Sequence, residues 1–165
     1  MKKIKTLLII PILILGLCTI TGCSNKENDN KLEKEEAKTI AGTLSKAFES
    51  EIKKEKDIEK IAKKIADNEA IVPEVQTYSI AKDEYLTGFK EEIKGFNQAV
   101  GIAPMISTIP FIAYVFEVEN PKDFAKTLED NAQLNWNICT QADEMKVTIV
   151  DNYVFFIMSP TSFEE

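Results

Sequence analysis

Three lysines at positions 2, 3 and 5 precede an apolar run over residues 7–17, broken only by Pro11 and Gly16. That order decides which part of the chain can fold at all. The run falls short of the roughly 20 apolar residues that a membrane-crossing helix needs. Behind a basic start, such a run is the pattern of a secretory leader, which is removed from the mature chain. The folded body must therefore be sought downstream.

The run closes on Ile20-Thr21-Gly22-Cys23. An aliphatic residue, two small residues and a cysteine in that order resemble the lipobox of bacterial lipoproteins. The resemblance implies a diacylglyceryl group on the Cys23 thiol and cleavage just before it. It makes residues 1–22 the signal peptide and holds the chain on the extracytoplasmic face of the cell membrane. Two acyl chains suffice for stable anchoring, whereas one binds only marginally. An ordinary signal peptide with a chance cysteine, or an uncleaved anchor, is the competing reading. Residues 24–31 are wholly polar, so residues 23–31 read as a lipidated tether and residues 32–165 as one domain.

With the leader gone, 143 residues remain, and their 17 lysines face 27 carboxylates for a net charge of −10. Such a balance disfavours nucleic acid, whose capture rests on basic side chains, and disfavours a basic clamp on anionic lipid. Membrane lipid bound through acylated Cys23 is thus one expected partner, and an envelope protein or cell-wall ligand is the other. The chain has no histidine, and all 20 of its basic residues are lysines. Ser-His-Asp and Cys-His catalysis and His-based metal sites are excluded, as is bidentate guanidinium capture of carboxylate or phosphate. No cofactor or metal is expected. A chain rich in lysine, isoleucine, asparagine and glutamate without arginine also fits an AT-rich genome, such as that of a Gram-positive bacterium. Cys139 is the one mature cysteine besides the anchor, so no internal disulfide is expected.

Asn30 with Glu33 offers a capping box for a first helix, whose stripe is Ala37, Ile40, Leu44, Phe48 and Ile52. Residues 53–56 read as a turn and Asp57 as the cap of a second helix bearing Ile58, Ile61, Ala62, Ile65 and Ala66. The pair predicts an αα-hairpin, with one long bent helix as the alternative. Residues 75–80 suggest a strand. Phe89, Ile93 and Phe96 could line a helix, against which Gly88 and Gly95 argue. Residues 99–106 and 111–118 predict a hairpin at the centre of the core, with Pro104 confining its first strand to an edge or bulge. Asn120-Pro121 starts a helix, along which Phe124, Leu128, Ala132, Trp136 and Cys139 form a stripe. Residues 145–150 and 153–158 predict two strands around a tight Asp151-Asn152 turn. The expected fold is α+β: the N-terminal αα-hairpin packed with a ββαββ antiparallel sheet layer.

Over residues 85–160 the chain resembles a family of small, uncharacterised Gram-positive envelope lipoproteins. The resemblance is carried by Gly88-Phe89, Gly95-Phe96, Ala103-Pro104-Met105-Ile106, Ile109-Pro110-Phe111, Ala142-Asp143-Glu144-Met145, Val154-Phe155-Phe156 and, most distinctively, Asn135-Trp136-Asn137-Ile138-Cys139-Thr140. It implies a shared fold and an envelope setting, and supplies no catalytic residues.

Ser50-Glu51-Ile52-Lys53 and Ser79-Ile80-Ala81-Lys82 match the Ser-x-x-Lys of penicillin-binding enzymes, but the partner motifs are missing. Glu91-Glu92, Glu129-Asp130 and Asp143-Glu144 could imitate a glycosidase pair only if tertiary structure made two carboxyls converge. A lone tryptophan between amides, Asn135-Trp136-Asn137, is the candidate ligand or partner surface, since an indole stacks on a sugar or peptide while amides hydrogen-bond. The competing reading packs Trp136 and Cys139 into the core. The sequence therefore predicts a non-catalytic envelope lipoprotein that binds a partner or ligand. The rivals are a carboxylate-dependent hydrolase of envelope carbohydrate or peptide, and a chaperone-like accessory for exported proteins.

Overall fold

The computed structural model describes residues 38–106 and 108–163. Along them run helices α1 (Ile40–Glu51) and α2 (Ile58–Ala66), strands β1 (Val75–Ser79), β2 (Phe96–Pro104) and β3 (Ile112–Val118), helix α3 (Pro121–Asn131), and strands β4 (Glu144–Val150) and β5 (Tyr153–Ser159). The strands form an antiparallel sheet in the order β1-β2-β3-β5-β4, which makes the chain α+β.

Asn30, Glu33 and Ala37, expected to open the first helix, lie outside the described residues. The cap observed is Thr39, whose hydroxyl oxygen accepts from Gly42 N at 3.1 Å. Ile40, Leu44, Phe48 and Ile52 are buried as their spacing predicts. Asp57 caps α2, its carboxylate accepting from the backbone of Glu59 and Lys60. The face formed by Ile58, Ile61, Ala62 and Ile65 is buried.

Both helices cover one face of the sheet, through Val100, Ile102, Ala113, Val115, Phe155 and Ile157. The alternate residues Tyr114, Phe116, Val154, Phe156 and Met158 face the other side, under α3 and the segment around Leu86, Phe89 and Ile93. The central strands β3 and β5 are therefore buried on both faces, which is why they read as unbroken apolar runs rather than as alternation.

Pro104 neither confines β2 to an edge nor bulges it. It ends the strand, pairing with Val75, and β1 covers that side. At a terminal position the missing N–H leaves no ladder beyond it to break. The register shift lies instead between Phe96 and Gln98. Tyr78 lies across its cross-strand partner Gly101, where a Cβ would come within 2.4 Å of the ring. Only a residue without a side chain fits there. The β4–β5 turn is the expected two-residue loop, with Asp151 at φ 54°.

The helix considered for Phe89, Ile93 and Phe96 does not form. Gly88 and Gly95 take φ of 94° and 96°, outside the right-handed helical region, and Phe96 opens β2 instead. Helix α3 begins at Pro121 as predicted, with Asn120 at the cap position but making no side-chain capping bond. It ends earlier than its stripe suggests. Ala132 turns extended and bridges Phe89, while Lys90 N donates to Asn131 O at 2.9 Å and Gln133 N to Gly88 O at 2.8 Å. The segment around Gly88 thus takes up the backbone groups that another helical turn would have used. Trp136 and Cys139 are not on the helix.

Candidate functional site

Residues 131–142 contain no charged side chain, in a chain of which 28% is charged. They carry the backbone from the end of α3 to β4. Trp136 N donates to Gln133 O, Ala142 N to Leu134 O at 2.9 Å, and Asp143 N to Ser159 O at 3.0 Å. The Thr140 hydroxyl donates to Thr108 O at 2.8 Å, tying this loop to the β2–β3 connection. The loop is thus bonded at its two ends and pinned in between through the Thr140 side chain.

Asn135, Trp136 and Asn137 are brought together on it, but not as a stripe. Trp136 is half-buried, its packed side resting against the core under α3. Asn135 is exposed, and Asn137 is half-buried. Two shallow recesses flank the loop. One, of about 450 Å³, is lined by Asn135, Asn137, Ile138, Cys139, Thr140 and Gln141. The other, of about 390 Å³, is lined by Thr87, Thr108, Trp136, Asn137, Ile138 and Cys139. An indole wall beside amides, in an open depression, can stack on and hydrogen-bond a ligand without any chemistry being done to it.

The core reading of Cys139 is corrected: its thiol is free and exposed, because the helix that would have carried it inward stops at Asn131. Ile138 between them is fully exposed. Sequence periodicity missed Ile138, because a helical stripe was assumed to continue. The available signal was the charge-free stretch itself. Residues 102–116 are mostly core, as expected, yet Met105 and Ile106 at the loop stand 60% and 64% exposed.

At least one carboxylate of each pair is bonded elsewhere. Glu92 pairs with Lys94, and Asp130 with Lys126, both at 2.8 Å on the surface. Asp143 accepts from Thr161 N at 3.0 Å, and Glu144 from Ala41 N at 3.2 Å in the first turn of α1. The last two stitch separate elements together, whereas the first two are local surface pairs. Of the Ser-x-x-Lys serines, Ser50 is exposed and the Ser79 hydroxyl donates to Glu59. Glu51 is held below its ordinary range by hydrogen bonds from Lys54 and Lys64. Among the described residues no three His, Cys, Asp or Glu side chains gather as metal ligands would, and no helix is long and apolar enough to cross a membrane. Cys23 lies outside the described residues.

No family model, no curated protein and no solved structure matches this chain.

Proposed function

We propose that this protein is an extracytoplasmic lipoprotein of the cell envelope, held to the membrane through acylated Cys23, with a non-catalytic role in binding an envelope partner through the loop after α3. One observation carries the reading: an uncharged loop, bonded at its two ends and pinned through the Thr140 side chain, presents Asn135, Trp136, Asn137 and a fully exposed Ile138 around two open recesses. A fully exposed isoleucine gains nothing for folding and makes a contact surface when its neighbours are also uncharged. Glu92, Asp130, Asp143 and Glu144, drawn from the three carboxylate pairs, are bonded to lysines or backbone amides, which favours binding over hydrolysis. The lysine-led apolar run and the Ile20-Thr21-Gly22 sequence before Cys23 support the address.

The test is a photo-crosslinker at position 138 of the full chain in its own cells. Adducts with membrane or envelope components that disappear in Cys23→Ala are expected. Adducts to cytosolic proteins alone, or none, would overturn the proposal.

A further inference from the structure

Among the described residues, five of the seven exposed large hydrophobics lie at one end of the sheet. Val72 precedes the start of β1, Met105 and Ile106 follow the end of β2, and Leu134 and Ile138 lie on the loop that leads into β4. The register places these connections together, since Val75 pairs with Pro104 and Glu144 with Ser159, while Thr140 binds Thr108 across the two loops. The sequence around the loops is charge-free over residues 99–116 and 131–142. The connection that carries Val72 also holds Asp67, Glu69 and Glu74, Lys38 precedes α1, and Asp143 is bonded to Thr161 N. The opposite end carries Lys53, Lys54, Lys56 and Asp57 between α1 and α2, with Lys56 reaching Asp151 of the β4–β5 turn at 3.4 Å. The charge-free stretches thus gather at one end of the strand axis, and the lysine-rich turn at the other.

The chain reaches the fold at the apolar end. Ile40 N donates to Thr161 O, and Ala41 N to Glu144, so the start of α1 sits beside the start of β4 and the end of β5. Cys23 lies 15 residues before Lys38, which limits the separation of acyl group and domain to about 50 Å even if fully extended. We infer that this end of the sheet rests on the bilayer, with Met105, Ile106 and Ile138 entering the headgroup boundary and Trp136 at interfacial depth. The inference builds on the lipid anchor and names the bilayer surface as the partner of the loop. A tryptophan with one apolar side and one wet edge suits that depth. Apolar side chains gain by entering the boundary region, while the net charge of −10 for the chain from Cys23 onward opposes attraction to anionic lipid. Attachment by apolar insertion therefore favours zwitterionic lipid.

Trp136 is the single tryptophan, which makes it the probe. The full chain is reconstituted in phosphatidylcholine vesicles with and without brominated acyl chains, and its acyl mass is read separately. Trp136 emission should fall by at least half with brominated lipid, and anionic lipid should weaken that loss. Ile138→Glu should restore most of the emission with an unchanged far-ultraviolet spectrum. In Trp136→Phe/Lys53→Trp, the indole at the charged end should remain bright. An acylated chain whose Trp136 is not quenched overturns the inference and leaves the anchor standing. A chain without acyl mass whose Trp136 is quenched overturns the anchor and supports the inference. Quenching at both ends, or Cys139-to-Cys139 crosslinking between two copies in place of Trp136 quenching, also overturns it.

Discussion

Tyr114 lies with its ring fully buried, its hydroxyl donating to Thr87 O at 2.9 Å beside the hydrogen-bonded hydroxyl of Tyr78. Burial, with Tyr78 and Glu84 adding to it, pushes its ionisation above the ordinary value of 10.0. A folded-state value above the unfolded one means that this phenol's contribution is complete below about pH 10 and is lost as pH rises beyond. Tyr114→Phe should therefore cost about 1 kcal/mol at neutral pH, from the lost hydrogen bond. The gap to the parent protein should narrow near pH 11, as urea melts at both values would show. A gap that widens would contradict the assignment. Trp136 contrasts with Tyr114 because only part of it is packed. Trp136→Ala should cost about 1–3 kcal/mol, short of the 3–5 of a fully buried indole. Calorimetry showing a loss at the upper figure would return Trp136 to the core.

At the scale of elements, Val154 shows how tightly β5 is held. It is fully buried, pairing with Phe116 and Ile149, on the face covered by α3. Val154→Asp buries a carboxylate with no partner and should cost more than about 4 kcal/mol. A cooperative melt in that variant would refute the packing. Most elements were legible from local pattern: α2 from Asp57 and its apolar spacing, β4 and β5 from their composition and the Asp151-Asn152 turn, and the start of α3 from Asn120-Pro121. Its end was not legible. The spacing of Phe124, Leu128, Ala132 and Trp136 continues the helix on paper, and the contact of residues 88–90 with residues 131–133 stops it. That contact joins residues far apart in the chain, so no local pattern encodes it. The same contact moved Cys139 to the surface and created the recesses around Asn137, which is why the residues of the candidate site could be named from sequence but not their arrangement.

For the whole molecule, the distribution of charge matters more than its sum. The turn between α1 and α2 is laced with surface ion pairs, Lys54 and Lys64 meeting Glu51 at 2.8 and 2.7 Å, while the end where α1 begins carries the exposed Met105, Ile106 and Ile138. A body so arranged has one end suited to water and one suited to a surface, and the proposed acyl group belongs to the second. The decisive measurement is metabolic labelling with palmitate in the native cell, followed by intact mass of the purified protein. The parent chain should carry label and begin at a diacylated Cys23, whereas Cys23→Ala should remain an unlabelled precursor. Label retained by Cys23→Ala, or a native chain recovered from cytosol with Met1 intact and no added acyl mass, would contradict it.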